Sequence, residues 1–375
     1  MSRKGENIYK RKDGRWEGRY RKGCIGSKTI YGYIYGKSYA YVKQRLIEEK
    51  SKYLFKINEN GYKDDLFTNI SKLWLDSCKN GCKESTQVKY KNMLEHYILP
   101  ILGNYCVSKI KSETITTMCK ELLLCGGKEG TGLSSKTIYD IISVLRGIRK
   151  FAISEQYQVG FDIADMKLKK EQKELRVFDS TEQLILCDFL LQNMNLDHLG
   201  ILLCLYTGIR VGELCALRWE DISLERKLIH IHRTMLRIQT DNEATKTKIL
   251  ITSPKSLCSI RTIPIQDNLI TILSEYKKSS DAYLLTGLAD HYVEPRTMQY
   301  RYKVVLKKCG IADANFHALR HTFATRCVEA GFDVKSLSEI LGHSSVNITL
   351  NRYVHPTMDL KRNNMNKLSE YLAVK

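Results

Sequence analysis

No stretch of the chain reaches the roughly 18 consecutive apolar residues that a membrane-spanning helix needs. The opening residues, MSRKGENIYKRKDGRW, are basic but lack the apolar core of a secretion signal, so they are not read as one. Metal-ligand spacing is missing too. Cys78 and Cys82 are close together, but no second Cys or His pair answers them at zinc-finger distance. Without a secretion signal, the twelve cysteines are expected to remain reduced thiols. No internal repeat and no low-complexity tract appears. Acidic residues are in short supply: 41 Asp and Glu face 60 Lys and Arg, giving +19 and a pI near 9.3. A surplus of that size calls for a polyanionic partner, and with no membrane signal the expected one is nucleic acid. What is present is ample. A chain of 375 residues with 43% hydrophobic content predicts two or three domains with sizeable cores.

The positive charge is concentrated at the start. Residues 1–60 hold sixteen Lys and Arg against six Asp and Glu, and eight of the 22 tyrosines. Two runs alternate with period two, Gly14 to Tyr20 and Lys28 to Tyr35, and both carry aromatics and flanking glycine. They read as strands of a small antiparallel sheet, followed by a helix from about Ser38 with Tyr39, Val42 and Leu46 on one face. A basic, aromatic-laced sheet is suited to a DNA groove. Arg15, Trp16, Arg19 and Tyr20 are its candidate contacts.

Residues 64–160 read as a four-helix module. Leu66, Ile70, Leu73 and Trp74 repeat at helical spacing. A second helix is expected from Thr86 to Ile98, capped by Ser85 or Thr86 and closed by Pro100. Ser112 is expected to cap a third, and Ser135 a fourth over Lys136 to Ser154. Lys83, Lys89, Lys91, Lys136 and Arg146 are candidates for its DNA-facing side. Residues 161–175 are charged, with few large apolar groups, and read as a linker. Residues 176–375 form the last domain.

That last segment carries the chemistry. An apolar helix, His198 to Tyr206, ends at Thr207-Gly208. A strand is expected at Leu228–His232, then a hairpin with Lys246–Pro254 on one side and Ser259–Ile265 on the other. Three motifs stand apart in the chain: TGIRVGEL, HALRHTFAT and LGHSS. Tyr353 follows ten residues after His343. In this combination and order the chain resembles the tyrosine recombinase family, in its phage and conjugative-transposon integrase branch. The resemblance covers nearly the whole chain. It implies a multidomain α+β architecture: an arm-binding domain with a three-stranded sheet and helix over 1–60, a helical core-binding domain over 64–160, and a mainly helical catalytic domain with a small antiparallel sheet over 176–375.

By that resemblance Tyr353 is the nucleophile. Strand exchange without an energy cofactor must store the phosphodiester bond energy, and a tyrosine oxygen bonded to phosphorus does so. Tyrosine ionises only near pH ~10, so it needs a proton acceptor and strong transition-state stabilisation. Arg210 and Arg320 can clamp the nonbridging oxygens bidentately. His317 and His343 can donate to the same phosphate, and the family makes His317 the expected proton acceptor for the nucleophile. Lys255 resembles the family's general acid for the 5′-oxygen, with Lys246 and Lys248 as alternatives. Glu213, one helical turn beyond Arg210, is expected to orient it. His321 reads as structural, and His230 and His232 lack a third metal ligand. No metal and no cofactor is expected.

The resemblance implies a bacterial, cytoplasmic, nucleoid-associated enzyme. It would integrate and excise a mobile element through a 3′-phosphotyrosine intermediate and a Holliday junction. Its partners would be arm and core DNA sites, three further copies of itself in a synaptic tetramer, an excisionase and a host DNA-bending protein. A resolvase of the Xer kind is disfavoured by the arm domain. The alternative is a DNA-binding regulator built on the same modules without catalysis. After Pro356, the spacing of Met365, Leu368 and Leu372 predicts a short amphipathic tail helix that docks on a neighbouring copy.

Overall fold

The computed structural model describes residues 7–25, 28–53, 56–57, 63–163, 175–240, 245–254, 257–353, 362 and 365–366. The chain folds as two compact units, Met1–Gln172 and Lys173–Lys375. Most of the expected linker, the general-acid candidate Lys255 and nearly all of the expected tail helix lie outside the described residues.

The first unit opens with three antiparallel strands, β1 (Ile8–Lys10), β2 (Trp16–Ile25) and β3 (Lys28–Gly36), in that order across the sheet. Helix α1 (Tyr39–Tyr53) covers one face. The pleat sends Gly18 and Tyr20 towards Val42 and Leu46 of α1. A Cβ on Gly18 would lie 2.7 Å from Val42 and 2.8 Å from Leu46, so glycine lets the helix press against the strand. The opposite face stays open. There Arg19 pairs across the ladder with Tyr33, and Glu17 with Tyr35.

Two short strands, β4 (Lys56–Ile57) and β5 (Lys63–Asp64), lead into the helices. These are α2 (Phe67–Ser77), α3 (Glu84–Met93), α4 (Leu99–Leu102), α5 (Ser112–Cys125) and α6 (Ser135–Ser154). Phe67, Ile70 and Trp74 of α2 pack with Ile138, Ile141, Leu145 and Ile148 of α6 in one apolar cluster. Pro100 does not close the second helix as expected. A π-helical turn, Leu94–Ile98, carries α3 into α4, and Pro100 stands in the first turn of α4. A proline inside a continuous helical run withholds one intrahelical N–H, and the wider π turn falls just ahead of it. The caps also differ. Ser85 and Thr86 lie inside α3, and Ser112 lies inside α5, where its hydroxyl accepts from the Asp162 N–H at 2.9 Å. Ser134, not Ser135, caps α6 by accepting from the Thr137 N–H at 3.2 Å.

The second unit begins with α7 (Ser180–Gln192), opened by a reciprocal cap between Asp179 and Glu182. Helix α8 (Leu196–Thr207) is apolar on nearly every side and runs through the core, with Leu199, Ile201, Leu202, Leu203 and Cys204 all buried. It stops at Gly208, whose φ of +67° is left-handed. Then come α9 (Val211–Ala216), β6 (Ile222–Ser223), β7 (Leu228–Ile231), β8 (Thr234–Gln239), β9 (Thr247–Thr252) and β10 (Arg261–Pro264). The expected hairpin is corrected here. β9 pairs with β8, and β10 pairs with β7 in a separate sheet ordered β10-β7-β6. The β8–β9 hairpin is thus inserted between two neighbouring strands. Among the described residues, five further helices follow: α10 (Asp267–Glu275), α11 (Pro295–Lys308), α12 (His317–Glu329), α13 (Val334–Leu341) and α14 (Val346–Tyr353).

Candidate active site

Arg210, Arg320, His343 and Tyr353 come from four places in the sequence and meet where α8, α12, α13 and α14 end or begin. Arg320 lies on α12 and is buried. Its Nη1 donates to the Gly208 carbonyl at 2.7 Å, and its Nη2 to the Leu341 carbonyl at 2.6 Å. Arg210, just ahead of α9, donates from Nη2 to the next carbonyl, Gly342, at 3.3 Å. Adjacent carbonyls therefore bring the two guanidiniums side by side. Arg210 remains half-exposed while Arg320 is buried.

Glu213 fixes Arg210. Its carboxylate accepts from Arg210 Nη1 at 2.8 Å and from the Arg210 backbone N–H at 2.9 Å. Glu213 is 3% exposed, and its burial alone would raise its pKa. Hydrogen bonds and charge from Arg261, with the charge of Arg210, outweigh burial and hold it down at about 2. The carboxylate is therefore ionised throughout the physiological range.

Two histidines, His321 and His343, flank the tyrosine, and His317 adjoins His321. His317 opens α12 and keeps an exposed edge, with its ring edge-on to His321 at 4.8 Å between centroids. His343 follows the left-handed turn at Gly342, and its Nδ1 is bonded to Thr349 Oγ1 at 2.8 Å. Its ring lies parallel to that of Tyr353, 6.4 Å away. Burial, with the charges of Arg320 and Arg210, pushes His343 down to about 3. Burial pushes His317 to about 4, helped by His321 and Arg320. His321 is also held at about 4 by burial, with Arg352 and Arg320 adding to it. All three rings are thus neutral at pH 7, each with one nitrogen able to accept and one able to donate.

Tyr353 ends α14 and is 7% exposed. Its hydroxyl is 2.7 Å from His321 Nδ1. His321, read from sequence as structural, is therefore the histidine in contact with the phenol, while His317 contacts His321. Burial raises the Tyr353 pKa, while the positive charges of Arg320, Arg352 and Arg210 oppose that rise.

Residues 181–359 match the phage integrase family, and residues 66–123 match its N-terminal SAM-like domain. A tyrosine recombinase XerC-like protein of Caldanaerobacter subterraneus subsp. tengcongensis is 30% identical over 92% of this chain and 92% of its own. The chain belongs to the tyrosine recombinases of the phage integrase family. The ICEBs1 integrase of Bacillus subtilis is 23% identical, covering 82% of this chain and 83% of that one. Among solved structures, the Tn1549 transposon integrase in complex with a circular intermediate DNA shares the fold. Its TM-score is 0.63 at 21% identity, over 80% of this chain and 99% of that one. A lambda integrase tetramer bound to a Holliday junction aligns with a TM-score of 0.55 at 17% identity, over 94% of this chain and 98% of that one.

The DNA-contact candidates of this recombinase fare unequally. Arg19 lies on the open sheet face, its guanidinium 4.5 Å from the centre of the Tyr31 ring. Arg15 is exposed and ion-paired with Asp13 at 2.8 Å. Tyr20 is corrected: it is 6% exposed, packed under α1, with its hydroxyl bonded to Glu49. Trp16 is half-buried against Tyr39 on the same covered face. Lys83, Lys136 and Arg146 are exposed, and Lys89 is exposed and ion-paired with Asp140 at 2.7 Å. Among the described residues no three His, Cys, Asp or Glu side chains gather as metal ligands, and no helix is long and apolar enough to cross a membrane. His230 and His232 stack on each other, and His232 Nδ1 lies 3.5 Å from Asp221.

Sequence reasoning missed two residues. His321 is one helical turn from His317, hence on the same face of α12, and that spacing was the available signal. Arg261 shares the inward face of β10 with Ile263, where a charge is out of place unless paired.

Proposed function

We propose that this tyrosine recombinase is the integrase of a mobile element, and that Tyr353 is its nucleophile. The observation that carries the reading is the convergence of Arg210, Arg320, His321 and His343 on one buried tyrosine. In the proposed step the Tyr353 oxygen bonds to phosphorus and the phosphorus–5′-oxygen bond breaks. The phenolic proton passes to a neutral histidine, and Lys255 protonates the departing 5′-oxygen. Arg210 and Arg320 take the charge that builds on the nonbridging oxygens, His343 donates to the same oxygens, and Glu213 keeps Arg210 in place. The 3′-phosphotyrosine preserves the bond energy, so the reverse attack by a 5′-hydroxyl of another strand reseals the DNA through a Holliday junction.

In this reading residues 1–60 form an arm module, 64–160 a core-binding module and 176–375 the catalytic domain. The open sheet face, with Arg15, Arg19, Tyr31, Tyr33 and Tyr35, would enter the arm-site groove. Lys83, Lys89, Lys136 and Arg146 would meet core-site phosphates. Four copies would act together on paired DNA sites, with an excisionase and a host DNA-bending protein setting direction, in the nucleoid of a bacterium. The test is a core site nicked near the crossover, so that the cleaved strand cannot be religated. A covalent protein–DNA adduct on a denaturing gel is expected. Sequence-specific binding without adduct would leave a regulator.

A further inference from the structure

Arg261 has no part in the roles set out above, yet its surroundings tie it to them. It is 8% exposed on β10, and a buried guanidinium is costly unless its donors are met. Nε donates to the Ile340 carbonyl at 2.6 Å. Nη1 donates to Glu213 Oε1 and to the Ser259 carbonyl, both at 3.1 Å, and Nη2 to Glu213 Oε2 at 2.9 Å. The fork therefore grips both oxygens of Glu213 from one side.

From the other side Arg210 reaches the same carboxylate with one side-chain nitrogen only, at Oε1. Its backbone N–H takes Oε2. A carboxylate has about four acceptor sites, and here four donors fill them. Without Arg261, Glu213 would be open to a bidentate grip by Arg210, the geometry such pairs prefer. Arg210 would then be drawn inward. Arg261 also touches the turn that carries His343. Ile340 is in the last turn of α13, and a Cβ on Gly342 would lie 3.0 Å from the Arg261 Cδ.

We propose that Arg261 is a positioning residue for strand cleavage: it saturates Glu213 so that Arg210 stays turned to the phosphate, and it anchors the α13 turn that presents His343. This rests on the reading of Arg210 as a phosphate clamp.

The test uses the full chain and the nicked core site, with two readouts: half-site affinity, and the single-turnover rate of adduct formation per bound protein at saturating DNA. Arg261→Lys keeps the charge and the stem but not the fork. Half-site affinity is expected within about twofold of the parent while the rate falls about 10²-fold, the cost of a misplaced catalytic group. A residue that serves only the core would lower the amount of bound protein and leave the rate per bound protein unchanged, and that result overturns the inference. Arg261→Gln is run beside it; failure of both variants to fold assigns Arg261 to the core and also overturns it. Arg210→Lys separates the two readings. Wild-type cleavage by Arg210→Lys removes the clamp assignment itself. Slow cleavage by Arg210→Lys with wild-type cleavage by Arg261→Lys removes only the positioning role.

Discussion

The Nδ1 atom of His321 stands 2.7 Å from the phenolic oxygen of Tyr353, joining the fifth residue of α12 to the last residue of α14. The ring is neutral at pH 7, so Nδ1 is able to accept the phenolic proton. His321→Gln should slow adduct formation by about 10²-fold, the lower range for loss of a general base. His317→Gln should have the smaller effect. A large loss in His317→Gln beside a normal His321→Gln would return the proton to His317.

Tyr353→Phe removes one oxygen and little else. The ring still fills its place beside Phe323 and Leu341 in the apolar cluster. Half-site binding should be nearly unchanged, and no adduct should form on the nicked core site. Adduct from the Phe variant would assign the nucleophile to another residue.

The three histidines also make stability depend on pH. In the unfolded chain they titrate near pH ~6.5. In the folded protein they are held at about 4, 4 and 3. Above pH 6.5 they are neutral in both states and contribute no slope. Between pH 6.5 and 4 the unfolded chain binds protons that the folded one refuses, so stability falls as pH falls. Glu213, held at about 2, adds a loss in the same direction once pH drops below its unfolded value of 4.5. The Tm of the DNA-free protein should therefore decline from pH 6.5 to 4.5. His343→Gln should flatten that decline, and an unchanged slope would refute the burial argument.

On the sheet, the two faces should respond differently. Arg19→Ala, on the open face, should weaken arm-site binding and make the salt slope shallower by about 0.9 for each phosphate that Arg19 neutralises. Its thermal stability should hardly change. Tyr20→Ala, under α1, should instead destabilise the protein by about 3 kcal/mol, as large buried truncations do. Binding titrations over a range of salt, with melting curves for both variants, check the pair.

Much of this was legible in the sequence because the motifs are local. Arg210 with Glu213, His317 with Arg320, and Leu341 to His343 each sit within one or two helical turns. The helices follow the same logic, with Ile138, Ile141, Leu145 and Ile148 marking α6 by period alone. The strand pairing was not legible. β9 and β10 are adjacent in the chain, and adjacency suggested a hairpin. β8 is a short strand whose buried positions, Met235 and Ile238, are not separated by two, so its alternation is weak. Arg261 and His321 escape for another reason: the partners of each lie far away in sequence, and only the folded chain brings them within reach.

The Arg320 guanidinium has one further consequence. Its two bonds go to the carbonyl at the C-terminal cap of α8 and to the last carbonyl of α13. Helix ends of this kind carry about half a negative charge each. A full cation is thereby held in a buried place by two partial charges fixed in the backbone. Each terminal nitrogen gives one hydrogen to a helix and keeps its second. A carboxylate in the same position would compete with DNA for the arginine, whereas the partial charge of a helix end is smaller, fixed in the backbone and has no side chain to swing. Among the described residues no carboxylate is hydrogen-bonded to Arg320, so in the proposed mechanism the phosphate would meet a cation that is already oriented.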